Sequence, residues 1–242
     1  MSEIKEVFDK MHIELPDGAL ELLNRYYEML IDTNKVMNLT TITEYSEVVI
    51  KHFADSAAIG CITDMNGNID LIDVGTGAGF PGIVLKIVYP QLSVVLLDSL
   101  NKRVNFLKNV ITELGLTGIS AIHGRAEDIA RNKDYREKFD LCVSRAVANM
   151  SSLSEYCLPF VKVGGRFIPY KADGCDEEVK TASKAVNILG GKIRKIESYV
   201  IPDTDICRKF VVIDKLRNTS AKYPRKAGLP TKEPLVQRRL YG

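Results

Sequence analysis

The stretch DVGTGAGFPG, residues 73–82, follows the apolar run IDLI and leads into the apolar segment GIVLKIV. Glycines let a backbone enter left-handed turns and approach a bound nucleotide closely. A strand running into such a loop and then into a helix is the opening unit of a doubly wound α/β sheet. Read from Gly75 the loop is GxGxG, and read from Gly77 it is GxGxxG ending at Gly82, so the motif by itself admits a dinucleotide as well as other nucleotide ligands.

The pattern around the loop extends this unit. Apolar segments suited to strands fall at 69–74, 93–98, 118–123, 139–144, 165–170, 193–200 and 207–214. Helical stretches fit 81–89, 100–114, 126–132, 151–161 and 175–189 between them. The early strands are nearly continuous apolar runs, as expected when helices cover both faces of a parallel sheet. Only IPDTD separates the last two strands, which predicts a terminal hairpin and hence one antiparallel edge strand. Ahead of the sheet, helical spacing places helices near 4–11, over 16–34 and over 45–59, closed by the turn DMNGN. Three segments follow: a helical extension to residue 66, an α/β domain over 67–214, and a C-terminal arm over 215–242.

In open α/β sheets the ligand sits beyond the carboxyl ends of the strands, so the residues ending each strand are the ones to inspect. The first strand ends in Asp73 and the loop glycines Gly75 and Gly77. A carboxylate there repels a pyrophosphate and attracts an ammonium or sulfonium group. The second ends in Asp98, placed to accept ribose hydroxyls, and the third in HGRAEDI, where Ala126 and Glu127 suit an adenine. Each has a plainer reading, since Asp98 can cap the next helix and Glu127 can serve a helix dipole. Taken in this order the three tips point to S-adenosylmethionine, which makes the fold a Rossmann-like class I methyltransferase.

The fourth tip, VSRAVAN, lacks the Asn/Asp-Pro-Pro-aromatic motif common where exocyclic amines are methylated, and Cys142 lies within the strand rather than at its end. A substrate atom already nucleophilic when neutral remains, such as a purine ring nitrogen like guanine N7, which needs positioning rather than a base. The five cysteines are odd in number with no CxxC, and the three histidines show no HExxH spacing, so neither disulfides nor a metal is expected. The N-terminus is too charged for a signal peptide and no apolar run reaches membrane-spanning length, while the cysteine usage fits a reducing cytoplasm. Net charge is +2, yet residues 215–242 carry eight Lys/Arg against one Glu. With its prolines this reads as an extended cationic arm that meets a polyanion, Arg225, Lys226 and Lys232 among its contacts. A nicotinamide dehydrogenase, a non-catalytic cofactor-binding module docking on RNA and a methyltransferase of another substrate stay open as alternatives.

The segments NKVMNLTTIT (34–43), KHFADSAA (51–58), LIDVGTGAGFPGIVLKI (71–87), LLDSLNKRVNFL (96–107), GRAEDI (124–129), FDLCVSRAVA (139–148) and YPRKAGLPTKEPL (223–235) closely resemble the RsmG, or GidB, family. These are bacterial 16S ribosomal RNA guanine-N7 methyltransferases, and the resemblance runs in order from about residue 30 to 236. It implies a cytoplasmic enzyme, expected to act as a monomer, that methylates one guanine in the decoding-region loop of 16S ribosomal RNA or of a small-subunit particle. The family's cofactor contacts match Gly75, Phe80, Ala126, Glu127 and Arg145, with Asp98 and Ser99 at the second tip. Positions near the RNA or the target base match Asn38, His52, Asp55, Arg125, Arg145 and Lys171. Of these, Asn38, Arg145 and Lys171 form the expected catalytic set, and Arg125 and Lys171 also face the RNA. On the residues alone, Arg145 could clamp an anion or form a structural ion pair, Asn38 could read a base or cap a turn, and His52 could be a satisfied buried histidine. One departure stands out: the family often has Trp just before NKVMNLT, where this chain has Thr33.

Overall fold

In the computed structural model, which describes residues 2–145 and 148–235, the apolar runs form the centre of a seven-stranded sheet. Its strands are β1 (Asp70–Val74), β2 (Ser93–Asp98), β3 (Ile119–His123), β4 (Phe139–Arg145), β5 (Val161–Ala172), β6 (Gly191–Val200) and β7 (Cys207–Lys215), in the order β3-β2-β1-β4-β5-β7-β6. The first five run parallel, while β7 lies antiparallel to both β5 and β6. The expected hairpin thus forms at one side of the sheet, with its second strand inserted between β5 and the edge strand β6. Order reverses between β1 and β4, which opens the crevice where such sheets bind ligands.

The helices are α1 (Glu3–Lys10), α2 (Ala19–Met37), α3 (Tyr45–Val48), α4 (Asp55–Ala57), α5 (Gly82–Val88), α6 (Asn101–Glu113), α7 (Ala126–Ile129), α8 (Met150–Cys157), α9 (Asp176–Ile188) and α10 (Leu229–Lys232). A π-helical stretch, Val49–Ala54, joins α3 to α4. Side chains alternate across each strand. Leu71, Leu96, Val143 and Ile168 therefore pack against α1, α2, α5 and α6, whereas Ile72, Leu97, Cys142 and Phe167 pack against α8 and α9. The N-terminal helices share the first of these cores with α5, and the Tyr26 hydroxyl donates to the Ala78 carbonyl at 2.5 Å. This bond brings α2 directly onto the glycine loop.

The C-terminal arm differs from the extended form expected. Lys215 is buried at the end of β7, donating to the Leu158 and Val161 carbonyls and to Thr219 Oγ1, with Glu137 at 3.2 Å. Burial pushes its ammonium down to about 8, against the pull of Glu137. Residues 219–235 fold back on the body: Tyr223 enters the second core, and Arg136 donates to the carbonyls of Thr219, Ser220 and Tyr223. The physical reason is a set of buried partners, Glu155 above all, that lie about 70 residues earlier in the chain. Arg238 and Arg239 lie outside the described residues. No helix among the described residues is long and apolar enough to cross a membrane.

Candidate active site at the strand tips

The glycine loop is built by its backbone and two carboxylates. Gly75, Gly77 and Gly79 have φ of 74°, 63° and 106°, the left-handed region that side-chain-bearing residues rarely adopt. Gly75 N–H donates to the Leu97 carbonyl at 2.8 Å, tying the β1 tip to the β2 tip. Asp98 accepts from Gly77 N–H at Oδ2 (2.9 Å) and from Leu100 N–H at Oδ1 (2.8 Å). It is 3% exposed, and both of its oxygens are engaged by backbone amides at the tips of β1 and β2. Asp73 sits lower than the expected cradle. It lies wholly buried beneath the loop, where Oδ2 accepts from Thr76 Oγ1 (2.6 Å) and Gly82 N–H (2.9 Å). Burial raises its carboxyl to about 6, opposed by those two hydrogen bonds. It shapes the loop from below instead of cradling a ligand.

Beyond the tips lies a cavity of about 510 Å³, within the size range of cofactor sites. Val74 and Gly75 at the β1 tip, Ser99 and Leu100 after β2, and Arg125, Ala126 and Glu127 after β3 contribute to its wall. Asn149 and Tyr156 approach from the α8 side, and Gly228 and Thr231 from the folded-back C-terminal segment. Leu100 is 43% exposed, an apolar surface offered to a ligand ring. Glu127 is buried and accepts from Gly228 N–H at Oε1 (2.9 Å). Gly77 has nothing within 4 Å of where a Cβ would stand, so the loop presents open backbone. Main-chain groups, an apolar ledge and one carboxylate together fit an adenosine-type cofactor.

Beside this cavity stands a polar cluster that the π-helical stretch organises. Such a local widening re-aims side chains and recurs at functional sites. Asp55, 0% exposed, receives Arg145 Nη1 at 2.6 Å and the fork of Arg208, Nε at 2.6 Å and Nη2 at 3.0 Å. Arg145 is therefore in an ion pair, the structural alternative left open above, and its guanidinium also sits 5.3 Å from the Phe80 ring centre. Phe80 is buried and stacks on His52, ring centres 4.4 Å apart at 18°. His52 Nε2 meets Thr40 Oγ1 at 2.9 Å. Phe80 and Arg145 thus pack together in this cluster, beside the residues that line the cavity.

Burial, reinforced by the Arg145 charge, holds the His52 imidazole down to about 4, so it is neutral near pH 7. Below pH 6.5 the unfolded imidazole takes a proton that the folded one refuses until about pH 4, so His52 makes acid destabilising across that window. Asp73 acts oppositely, its contribution being lost as pH rises through about 6. Urea unfolding at pH 7 and pH 4 should show a smaller acid-induced loss for His52→Gln than for the native chain, by on the order of 2 kcal/mol. Equal losses would contradict a neutral, buried His52.

The remaining expected residues divide clearly. Lys171 pairs with Glu178 at 2.8 Å with its side chain 14% exposed, so it is engaged internally instead of standing free for a phosphate. Glu178 also accepts from Met150 N–H at the start of α8. Asn38 adopts φ 50° and caps α2, its N–H donating to the Asn34 carbonyl at 3.3 Å, with its side chain exposed. Arg125 is exposed at the cavity rim, and Ser99 lines it. Arg225 is half-buried and paired with the buried Glu155, whereas Lys226 and Lys232 are exposed. Sequence reasoning passed over Arg208, Asn149, Tyr156 and Glu155. Only Asn149 carried a readable signal, as an N-cap whose side chain accepts from Ser152 N–H at 3.1 Å.

Solved structures share this architecture. A SAM-dependent methyltransferase from Aquifex aeolicus matches with a TM-score of 0.54 at 16% identity, over 73% of this chain and 96% of that one. TYW2 of M. jannaschii in complex with AdoMet matches with a TM-score of 0.53 at 15% identity, over 72% of this chain and 77% of that one. Likeness at this identity shows the fold alone. The fold is that of the Rossmann-like class I methyltransferases, with a nucleotide-sized cavity at the strand tips. At the level of sequence, a family model described as rRNA small subunit methyltransferase G, GidB, matches residues 19–209. Proteins named ribosomal RNA small subunit methyltransferase G are 51% identical in Lachnoclostridium phytofermentans, over 94% of both chains, and 46% identical in Staphylococcus epidermidis, over 97% of this chain and 98% of that one. The chain belongs to the rRNA small subunit methyltransferase G family.

Proposed function

We propose that the protein acts in the cytoplasm, as a monomer, and methylates N7 of one guanine in the decoding-region loop of 16S ribosomal RNA. The carrying observation is the cavity at the tips of β1, β2 and β3, set beside the Arg145–Asp55–Arg208 cluster in a chain of this family. The names of its relatives supply the small-subunit RNA. Gly75, Ser99, Leu100, Ala126 and Glu127 would hold S-adenosylmethionine, which supplies an electrophilic methyl group when bound.

Guanine N7 carries a lone pair and no proton, so the site needs no general base, and a neutral His52 is in keeping with that. The chain's own contribution is positioning. Asp55 fixes two guanidiniums at the β4 and β7 ends, which keeps Arg145 directed and half neutralised beside a base that becomes cationic. The stacked rings of Phe80 and His52 form a rigid, largely buried support next to it. Arg125, Lys226 and Lys232, exposed around the cavity, are left to meet phosphates. Replacing Lys226 and Lys232 together by alanine should flatten the slope of log affinity for RNA against log salt by roughly 1.4–1.8. An unchanged slope would remove the C-terminal lysines from the interface.

The reading is tested with small subunits from cells lacking the protein and S-adenosylmethionine labelled in its methyl group. Label should enter 16S RNA of those subunits and not of subunits from cells that contain the protein. Equal labelling of both, or none, would contradict it.

A further inference from the structure

The C-terminal segment meets the cavity at several separate points. Gly228 N–H donates to Glu127 Oε1 at 2.9 Å, and Thr231 Oγ1 meets the Tyr156 hydroxyl at 2.7 Å. Ser152 Oγ donates to the Pro230 carbonyl at 2.7 Å. Glu127 and Tyr156 line the cavity, and Gly228 and Thr231 line it from the other side, so these bonds close one wall across it.

One residue holds that wall in place. Glu155, 0% exposed on α8, accepts from Arg225 N–H at 2.7 Å, from Nε at 3.0 Å and from Nη2 at 2.7 Å. The same Nη2 donates to the Glu233 carbonyl at 2.8 Å, so the guanidinium spans the segment that contains Gly228 and Thr231. A bidentate fork in a water-poor setting fixes geometry as well as charge. No surface contact with RNA needs a carboxylate partner buried this deeply.

We propose that Arg225 is a positioning residue for the cofactor: its pair with Glu155 holds residues 223–232 as the fourth wall of the cavity. This rests on the cavity being the S-adenosylmethionine site. Among the described residues Glu127 accepts at Oε1 alone, which leaves Oε2 for a donor inside the cavity while Gly228 fixes the carboxylate's orientation. The C-terminal segment thereby acts on cofactor affinity and leaves the reacting atoms to the cluster around Arg145.

The test compares the native chain, Arg225→Ala and Arg225→Lys in calorimetric titration with S-adenosylhomocysteine, and in methyl transfer at saturating donor. Arg225→Ala should weaken binding at least about tenfold. Its kcat at saturating donor should stay within about twofold, a split that general loss of structure does not produce. Arg225→Lys, which keeps the charge and loses the fork, should recover part of the affinity. Because Arg225→Ala leaves Glu155 buried without its partner, a measurement on the native chain stands beside it. Backbone amides of residues 225–232, Pro230 apart, should exchange more slowly with solvent deuterium once S-adenosylhomocysteine is bound. Unchanged affinity in Arg225→Ala together with unchanged exchange overturns the role of Arg225 while the cavity assignment survives. A native chain that takes up no S-adenosylhomocysteine overturns the cavity assignment, and this role with it.

Discussion

Replacing Asp55 by alanine should cost about 3–5 kcal/mol of folding stability, the expected loss when a buried pair loses one partner. The carboxylate is fully buried and faces two guanidiniums, whose side chains are only 11% and 20% exposed. Without it, Arg145 and Arg208 stand close together at the ends of β4 and β7 with like charge and little water. For a chain of this size the loss corresponds to a fall in Tm of about 10 °C. Urea unfolding, read by circular dichroism, measures it. Asp55→Asn, which keeps an acceptor but no charge, should fall between. A loss below about 1 kcal/mol would mean that both arginines find water, and that Asp55 does not hold the cluster together.

Gly75→Val should abolish cofactor binding and leave the chain folded. Gly75 lines the cavity, and its φ of 74° is one that a β-branched residue adopts only under strain. The strain costs about 1–2 kcal/mol, which a domain of ordinary stability tolerates. The added side chain stands at the tip where main chain must approach the ligand, and S-adenosylhomocysteine should bind at least about 100-fold more weakly. Binding within about threefold of the native chain, with the fold confirmed, would place the cofactor elsewhere.

The difference between these two sites explains what could be read in the amino-acid order. Strands from β1 to β4 are local apolar runs, and the loop glycines report their backbone demand directly, so the sheet and the cavity's glycine tip were legible. The insertion of β7 between β5 and β6 was not, because pairing such as Phe167 with Ile213 depends on residues far apart in the chain. Asp55, within KHFADSAA, gives no local sign that Arg145 and Arg208 will converge on it. The C-terminal segment misled for a related reason. Its lysines and prolines suggest an exposed arm, but Glu155 on α8, which fixes Arg225, has no sequence proximity to it. Asp73 and Asp98 were placed at the right strand ends, yet their hydrogen bonds run to loop amides, a choice between ligand and backbone that spacing alone does not decide.

The most direct test of the central claim is to map the methyl group itself. Small-subunit RNA from cells lacking the protein is methylated with the purified chain, then reduced and cleaved by aniline, which cuts at N7-methylguanine. Cleavage at a single guanine of the decoding-region loop, dependent on both S-adenosylmethionine and an intact Gly75, is the expected result. Incorporated label with no such cleavage, or cleavage at many guanines, would contradict methylation of one guanine N7 by this site.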